Sequence, residues 1–434
     1  MALPQNFYDA LAVFKQMYLP AWGNMIGTEA SPLMSKIKNY PITGGGDIKA
    51  VAQVGFNGGF GSLPDDLTAP QAGRNIYQDF TEKQKTMAVT LNISDKAIQA
   101  SRNDQRAMVN LLHREIQAGY EVVGVDNFSN SSASVLEGIR KIVGREIDFV
   151  EADCTDREAF ARVFRRYPDI AAAIHFAASK AVGESVEKPL LYYRNNLGSL
   201  INLIDLMEKE ASSANIVFSS SCTVYGQPGP EHLPITERAP IQPAHSPYGK
   251  TKQICEEILK DCVAAGKKLN VTCLRYFNPI GAHPTAFIGE LPNGTPQNLV
   301  PYITQTAAGI RECLSVFGND YHTPDGSCIR DYIYVCDLAA AHVKAVDRLL
   351  ARGERFEVFN LGTGRGLSVL ELVNAFIRAT GQDLPYKITG RRAGDVEQVW
   401  ADPAKANEVL GWKADTPIED VLRSAWKWQL ACGK

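Results

Sequence analysis

The sequence predicts an α/β fold in which a doubly wound parallel sheet is followed by a smaller lobe and preceded by an unrelated segment. From residue 117 onward, short apolar runs alternate with stretches of helical length, which is typical of parallel strands covered by helices on both faces. Polar residues follow several of these runs, where open α/β sheets bind ligands. The first hundred or so residues are rich in glycine and have no clear period, so they do not fit this scheme.

Five apolar runs are predicted as strands, and four stretches between them as helices. The strands are predicted over 120–126, 147–153, 170–178, 214–221 and 270–278, and the helices over 133–143, 157–167, 190–209 and 248–265. From about residue 279 the chain is richer in Gly, Pro and Asn, and its further strand–turn–helix patterns indicate a smaller lobe interleaved with the last strands.

Composition excludes several classes of protein. The chain has 434 residues, an ordinary apolar content and a net charge of −3, so neither nucleic acid nor a membrane is an expected partner. Its nine cysteines are scattered, with no C-x-x-C pair and no His/Cys cluster at ligand spacing. We therefore expect reduced thiols in a cytoplasmic protein, with no metal site.

Tyr248 and Lys252, four residues apart in "SPYGKTK", point most directly to a chemistry. Positions i and i+4 of a helix share one face, and an ammonium beside a phenol favours the phenolate. Such a phenol can remove a proton from the hydroxyl of an alcohol or sugar, and Ser221 in "FSSSCTVYG" can hydrogen-bond the same oxygen. The alternative is an ordinary helix start in which Tyr248 packs and Lys252 is solvated.

The signal for a bound dinucleotide is incomplete. Asp126 ends a predicted strand, as does the acid that binds the adenosine ribose, but the glycine-rich turn expected about 20 residues earlier is absent. Gly55, Gly58 and Gly61 lie too far upstream and precede "LPDDLTAP", so we interpret them as turns of a separate segment. Residues 86–94 are a better substitute, because a strand there and a helix ending near residue 117 rebuild a β–α–β unit in outline.

Two other features have structural interpretations. His175 lies in an apolar run and is expected to be a hydrogen-bonded core histidine. "GTGRG", residues 362–366, resembles a phosphate loop but is interpreted as a strand-to-helix turn because it lies far down the chain.

Over residues 117–429 the chain resembles the UDP-glucose 4-epimerases of the extended short-chain dehydrogenase/reductase family. The motifs that carry the resemblance are "VDNFSNS", "EADCTD", "HFAASKAVGES", "NNLGSLINL", "FSSSCTVYG", "SPYGKTK", "RYFNPIGAHP", "NLVPYI", "VFGNDY", "RDYIYVCDLA", "FNLGTGRG" and "RRAGDVEQVWAD". The resemblance implies a Rossmann-type sheet, NAD as cofactor, and interconversion of UDP-glucose and UDP-galactose through a 4-keto sugar in galactose metabolism. The family's first strand and its Thr-Gly-Gly-x-Gly-Phe-Ile-Gly turn are both missing.

Residues 1–116 resemble instead the N-terminal part of a tailed-phage major capsid protein, on the basis of "MAVTLNISDKAIQASRNDQRAMVNLLHREI". The two resemblances imply three parts: a capsid-like segment over 1–116, a truncated NAD-binding Rossmann domain over 117–278 and a UDP-sugar-binding lobe over 279–434. They also imply a homodimer through the helices over 197–209 and 248–265. No partner is predicted for the N-terminal segment.

The epimerase resemblance implies a role for each matching residue. Tyr248 is implied to be the catalytic base and Lys252 the residue that tunes it, with Ser221 and Thr223 at the sugar oxygen. The residues implied to contact NAD are Asp126, Asn127, Asp153, Phe176, Ala177, Lys180, Asn195 or Asn196, Tyr248, Lys252 and Tyr276. The residues implied to contact the UDP-sugar are Phe277, Asn278, Asn298, Leu299, Val316, Phe317, Arg330, Arg392 and Asp395.

Two alternatives stay open. The first is a non-enzymatic chimera of a capsid segment and an epimerase fragment, because a missing central strand leaves backbone groups unpaired and a missing glycine turn weakens NAD retention. The second is a 4-epimerase that also acts on UDP-N-acetylhexosamines, since Val399 is small. A 4,6-dehydratase is disfavoured, because Cys222 and Thr223 stand where that reaction needs an acid pair.

Overall fold

A seven-stranded parallel sheet is the main element of the part of the chain that the structure describes. The structure is a computed structural model that describes residues 88–92 (backbone only), 120–129, 132–211, 214–291, 295–351, 354–392 and 395–432. The sheet contains β1 (Ala88–Asn92), β2 (Glu121–Asp126), β3 (Asp148–Glu151), β4 (Ile170–His175), β5 (Asn215–Ser221), β6 (Asn270–Tyr276) and β11 (Phe356–Leu361). Their order across the sheet is β11-β6-β5-β4-β1-β2-β3. The strand order reverses between β1 and β4, so a ligand-binding crevice is expected at the carboxyl ends of these two strands.

The prediction that the sheet lacks its first strand is wrong. Ala88–Asn92 fills the central position, pairing parallel with β2 from Ala88 opposite Glu121 to Asn92 opposite Val125. On its other side Asn92 lies opposite His175 of β4. Pairing uses only backbone N–H and C=O groups, so a short strand-forming run of unrelated sequence can complete the ladder.

The fallback expectation of a strand within residues 86–94 is confirmed. The helix expected after it, the glycines at 55, 58 and 61, and the rest of the capsid-like resemblance lie outside the described residues. The three-part division at residues 116 and 278 stays a prediction. The strand that completes the sheet nevertheless falls inside the segment assigned to 1–116.

Helices cover both faces of the sheet. In the described part of the chain they are α1 (Ser134–Val143), α2 (Arg157–Arg166), α3 (Val182–Glu187), α4 (Pro189–Lys209), α5 (Pro247–Ala264), α6 (Leu299–Ala307), α7 (Val335–Leu350), α8 (Val369–Thr380), α9 (Ala404–Val409) and α10 (Ile418–Cys432), with 3-10 turns at Cys222–Tyr225 and Pro230–His232. The five predicted strands and four predicted helices all begin and end within a few residues of their predicted bounds, which confirms the α/β reading.

The two faces have separate cores. Ala172 and Ile174 of β4 belong to one hydrophobic cluster, and Ile170 and Ala173 belong to the other. All six residues of β4 are buried, as expected for a strand with helices on both sides.

The smaller lobe contains three small sheets. These pair β7 (Asn278–Ile280) with β10 (Tyr332–Tyr334), β8 (Leu314–Phe317) with β13 (Tyr386–Thr389), and β9 (Ile329–Arg330) with both β12 (Leu367–Ser368) and β14 (Gln398–Val399). The chain returns to the main sheet as β11, so the lobe is interleaved with the last strand as predicted. Within the described residues, every helix is too short or too polar to cross a bilayer.

Candidate active site

Tyr248 and Lys252 lie in the first two turns of α5. The helix starts here because Ser246 Oγ accepts from the Gly249 amide at 3.1 Å and Pro247 occupies the first turn. Lys252 is buried, and its ammonium donates to the carbonyl oxygen and the hydroxyl of Ser219 at the end of β5. The ammonium also lies 4.7 Å from the centre of the Phe218 ring. The lysine is therefore held in place against the sheet, and the solvated-charge alternative is wrong.

Ser221 and Thr223 form a hydroxyl pair where β5 ends. Thr223 Oγ1 donates to Ser221 Oγ at 3.0 Å, and the Thr223 amide donates to the same oxygen at 3.2 Å. With two donors directed at its oxygen, the Ser221 hydroxyl directs its own proton elsewhere. Ser221 is 8% exposed, the same value as Tyr248, so both residues are largely shielded from water.

Three of the residues implied for the adenosine end come together at the carboxyl ends of β2 and β3. Asp126 is buried, and its Oδ1 accepts from the Phe128 amide at 2.9 Å. Asn127 donates to Asp153 Oδ2 at 2.8 Å, while Asp153 Oδ1 accepts from the amide and the hydroxyl of Thr155. The two acids are thus fixed in orientation beside each other at one edge of the sheet.

The loop after β4 is fastened to two helices through Asn196. This amide accepts from the Ser179 amide at 2.6 Å and donates to the Ser179 carbonyl and to Thr251 Oγ1 of α5. Asn195 donates to Asn196 Oδ1 at 3.1 Å and supports it. Of the two asparagines, Asn196 therefore holds the loop in place.

That loop carries three of the residues implied to contact NAD. Phe176 and Ala177 are buried, and Ala177 offers its carbonyl to Ser199 Oγ at 2.7 Å. Lys180 follows at the half-buried end of the loop. Side chains of α4 hydrogen-bond to the backbone of the loop at Ala177 and Ser179.

Tyr276 is the last residue of β6, and its side chain is buried. Its hydroxyl is 2.6 Å from His342 Nε2, and its ring packs in the core against α7. Phe277 turns the other way, into a small cluster with Val224 and Val399 beside the 3-10 turn at Cys222–Tyr225. Asn278 is the first residue of β7, which belongs to the smaller lobe.

A cavity of about 350 Å³ lies between α6 and the small sheets of the lobe. It is lined by seven of the residues implied for the UDP-sugar, namely Asn278, Asn298, Leu299, Phe317, Arg330, Arg392 and Asp395. Val316 is 1% exposed and belongs to the core, so its side chain does not line this cavity. Tyr302, Cys328 and Tyr332 line it too and were missed, since aromatic and thiol side chains in apolar runs look like core residues.

Opposite charges meet at the mouth of the cavity. Asp395 Oδ1 lies 2.7 Å from the Arg392 guanidinium and 4.0 Å from that of Arg330. Arg392 also lies over the Phe317 ring at 5.5 Å, and Phe317 is 40% exposed. Two guanidinium groups beside an exposed aromatic face can hold a diphosphate and a flat base. Arg330 is more than a surface ion pair, because its side chain is only 16% exposed.

The "GTGRG" segment is a strand-to-helix turn, as predicted, and it encloses the carboxylate of Asp331. Asp331 is fully buried and accepts from the Thr363 amide and hydroxyl, at 2.9 and 2.7 Å, and from the amides of Gly364 and Ala401. A side chain at Gly362 would collide with this carboxylate, since an added Cβ would lie 2.4 Å from Oδ2. The turn therefore binds an anion that the chain itself supplies.

His175 departs from its prediction. It is buried, but both ring nitrogens lack a hydrogen-bond partner in the described residues, so it is not a hydrogen-bonded core histidine. Burial, and secondly the nearby Lys252 charge, lowers the pKa of His175 to about 3. The ring is neutral at physiological pH and lies at the carboxyl end of β4, near the Lys252 ammonium.

Cys222 lies between the hydroxyl pair and the lobe. Burial raises the pKa of its thiol to about 11, so the side chain is a neutral thiol rather than an acid at the pH of the cell.

The described residues fit NAD at both ends but leave its pyrophosphate without a demonstrated cradle. The residues implied for the adenosine end include two acids held in place by hydrogen bonds, and those implied for the nicotinamide end are the loop of residues 176–180 and the Tyr248–Lys252 pair. The sequence from Asn92 to Ala118 contains no glycine, so the segment after β1 differs in kind from the usual pyrophosphate-binding turn.

Comparison with known proteins agrees with this geometry. The family model described as GDP-mannose 4,6 dehydratase matches residues 108–425. A UDP-glucose 4-epimerase from Bacillus subtilis (strain 168) is 51% identical over 314 residues, which are 72% of this chain and 91% of that protein.

Two solved structures are also similar. The UDP-glucose-4-epimerase from Stenotrophomonas maltophila, with bound NAD and formylated UDP-arabinopyranose, has a TM-score of 0.74 and 45% identity, covering 80% of this chain and 99% of that one. The enzyme from Bifidobacterium longum, in complex with NAD+ and UDP, has a TM-score of 0.73 and 41% identity, covering 79% and 98%. The structural match covers more of this chain than the sequence match does, 80% against 72%.

Proposed function

The chain belongs to the UDP-glucose 4-epimerase family, and on that premise we propose that it interconverts UDP-glucose and UDP-galactose with NAD through a 4-keto sugar. The observation that carries the proposal is the buried Lys252 held on Ser219, one helical turn from Tyr248 and beside the Ser221–Thr223 pair. This arrangement provides a base, a fixed positive charge and an orienting hydroxyl in one crevice.

Tyr248 takes the proton of the sugar 4-hydroxyl and returns it after the sugar has turned. The Lys252 ammonium stabilises the phenolate that the transfer requires, and Ser221 donates to the sugar oxygen. NAD, when bound, supplies the two-electron oxidation of carbon 4 and its reversal. Asp126, Asn127 and Asp153 would hold its adenosine end, and the loop of residues 176–180 would lie along its nicotinamide end.

The sugar must rotate within the crevice, so the protein has to bind the nucleotide part of the substrate rather than the sugar. Arg330 and Arg392 would bind the diphosphate, with the exposed Phe317 ring and Asn298 at the uridine. Asn298 donates to Glu290 at 2.9 Å, which fixes the orientation of its amide. The cavity between α6 and the small sheets supports this division between a held nucleotide and a mobile sugar.

The test is turnover of UDP-galactose by the purified protein with NAD added. Replacing Tyr248 by Phe should lower kcat by at least roughly a hundredfold, the usual contribution of a general base. Replacing the exposed Tyr386 by Phe, on β13, should leave it unchanged. Equal rates in wild type and Tyr248→Phe would refute the role of the phenol.

We expect NAD to be retained weakly, because the glycine turn that usually donates several amides to the pyrophosphate is absent from the sequence. Losing two or three such bonds weakens binding by roughly a thousandfold or more. Activity should therefore depend on added NAD and fall after gel filtration. Protein purified with stoichiometric NAD would contradict this expectation.

The capsid–epimerase chimera without activity is the competing proposal, and the completed sheet weakens one of its two physical arguments. Turnover with added NAD would eliminate it. Dehydratase chemistry has no support in the site, since Cys222 and Thr223 follow the serines and the thiol is neutral.

Activity on UDP-N-acetylhexosamines is a second candidate favoured by Val399. Val399 lies opposite Arg330 in the pairing of β14 with β9, and its side chain packs in the cluster of Phe277 and Val224 beside the 3-10 turn. Absence of turnover of UDP-N-acetylgalactosamine, by protein that turns over UDP-galactose, would exclude it.

A homodimer and a cytoplasmic location complete the proposal. The outer face of α4 carries apolar side chains, with Leu190 64% and Ile201 50% exposed, and a second copy would cover them. Light scattering of Ile201→Glu should report monomer if this face is the interface. All nine cysteines are free thiols, as suits a reducing compartment.

A further inference from the structure

A buried ion pair joins the reactive helix to the main sheet. Glu256 follows Lys252 by one turn of α5, and its carboxylate receives a two-pronged contact from Arg275 of β6. Arg275 Nε lies 3.0 Å from Oε1, and a terminal nitrogen lies 2.6 Å from Oε2. The two residues are 9% and 6% exposed, so this is a charge pair largely removed from water.

Two further side chains hydrogen-bond to the pair in the interior. Ser220 Oγ donates to Glu256 Oε1 at 2.5 Å. The third side of the guanidinium donates to Tyr225 Oη at 2.8 Å, and Tyr225 donates to Asn360 Oδ1 at 2.7 Å. The chain of contacts therefore runs from α5 through β5 and β6 to the 3-10 turn and β11.

The chemistry of the pair argues against a purely stabilising role. Burial alone would lower the pKa of Arg275, but the contacts with Glu256 outweigh it and the pKa is raised, so the guanidinium stays charged. A buried ion pair adds little net stability compared with apolar residues of the same size, because desolvation offsets the attraction. In this protein the four hydrogen bonds that join Glu256, Arg275, Ser220 and Tyr225 tie α5 to β5 and β6.

The position of the pair in the fold indicates which elements it holds together, namely α5 and the strands β5 and β6. Two consecutive serines of β5 each hold one residue of α5, a helical turn apart: Ser219 holds Lys252, and Ser220 holds Glu256. Ser220 also lies opposite Arg275 in the pairing of β5 with β6. The next residue along β5 is Ser221, and the previous turn of α5 carries Tyr248.

We propose that Glu256 and Arg275 are positioning residues that set the register of α5 against β5, and thereby the placement of Tyr248 and Lys252 relative to Ser221. Neither residue lines the cavity between α6 and the small sheets. The inference rests on the proposed function for its meaning, but the placement it concerns can be measured without turnover.

The experiment replaces the pair by apolar residues in the full chain, as Glu256→Leu with Arg275→Met. Such a replacement removes the hydrogen bonds while leaving no buried charge, so folding should survive. Two quantities are measured: kcat and KM for UDP-galactose with added NAD, and the pH at which Tyr248 forms phenolate. The second comes from the near-ultraviolet absorbance difference between each protein and the same protein carrying Tyr248→Phe.

We expect kcat to fall roughly tenfold or more while KM stays within about threefold, since the nucleotide grip lies elsewhere. The midpoint of Tyr248 ionisation should move to higher pH, because a displaced ammonium no longer stabilises the phenolate. Arg275→Lys keeps the positive charge but loses the two-pronged contact with Glu256. Its kcat and its Tyr248 midpoint should therefore lie between those of the double variant and those of wild type.

An apolar double variant with unchanged kcat and an unchanged Tyr248 midpoint would overturn the proposal. If the double variant does not fold, Arg275→Lys and Glu256→Gln decide in the same two measurements. If even the wild type lacks turnover, the proposed function fails, while the Tyr248 midpoint still supports or overturns the positioning role.

Discussion

Two histidines buried near the crevice show how much a residue's role depends on its contacts. His342 donates from Nδ1 to the Leu338 carbonyl at 2.9 Å and accepts at Nε2 from the Tyr276 hydroxyl, so one neutral tautomer is fixed. His175 lies against the Phe218 ring, with centroids 6.0 Å apart, and has no comparable partner among the described residues. Both occur in apolar stretches of sequence, and nothing in those stretches distinguishes them.

Burial sets the acid sensitivity of both residues, lowering the pKa of His342 to about 4 and that of His175 to about 3. A depressed pKa means that the unfolded chain binds a proton at higher pH than the folded protein does. The stability that neutral His175 contributes is present above the unfolded pKa of 6.5 and is lost as pH falls toward the folded value.

We therefore expect wild-type protein to lose more stability than His175→Phe between about pH 7 and pH 5, by up to roughly 2 kcal/mol. Urea unfolding at the two pH values measures the difference. His322→Gln, at a position where the ring is 92% exposed, is the matched control and should behave as wild type. Equal pH dependence in wild type and His175→Phe would show that the buried ring takes up its proton without cost.

At the scale of elements, the turn from β11 to α8 shows why glycine-rich motifs mislead. Residues 362–366 resemble a phosphate loop because of their glycine pattern, and the amides of Thr363 and Gly364 do donate to an anion, the Asp331 carboxylate. Asp331 stands more than thirty positions earlier in the sequence, and its fourth donor comes from Ala401. A pattern read along the chain cannot show which oxygen those amides face.

Replacing Asp331 by Asn should destabilise the protein by roughly 1–3 kcal/mol, because an amide NH2 would then face backbone donors. The midpoint of urea unfolding measures the change. The exposed Asp320, paired with Arg391 at 2.8 Å, is the control, and Asp320→Asn should have little effect. No loss on Asp331→Asn would mean that the turn re-forms around a water.

The elements that sequence predicted well are those fixed by local pattern. Runs such as "IAAAIH" and the Tyr248–Lys252 spacing determine a strand, and a helix with both side chains on one face, from a few neighbouring residues. The parts that escaped prediction depend on distant partners. Arg275 in an apolar strand was the available signal for a buried counter-charge, but Glu256 could be identified only once β6 and α5 were placed together.

For the whole molecule, the decisive feature is the central strand β1. Its sequence lies outside the motifs of the epimerase resemblance, and it nevertheless pairs with β2 and β4 over its full length. A resemblance based on side-chain motifs cannot detect a strand whose place in the sheet depends on backbone hydrogen bonds. Only its strand-like sequence pattern predicted β1. In the structure β1 occupies the central position of the sheet, for which the epimerase motifs offered no candidate.

Thr90→Pro tests that placement. Proline removes a backbone donor from the middle of a strand that is paired on both sides, so the variant should fail to fold or lose at least roughly 3 kcal/mol. Thr90→Val, which keeps the strand propensity, should unfold like wild type. Circular dichroism and thermal unfolding distinguish the two, and a fully stable Thr90→Pro would place another segment in the sheet.

The position of β1 also governs what happens to a shortened chain. A fragment starting at residue 117 would hold β2–β3 on one side and β4–β5–β6–β11 on the other, each ending in a row of bare amides and carbonyls. Unpaired sheet edges of this kind can pair with any extended segment, including one from another fragment, and so promote aggregation. We therefore expect a fragment trimmed to the residues of the epimerase resemblance to contain two separate parts of the sheet and to aggregate as inclusion bodies when it is produced.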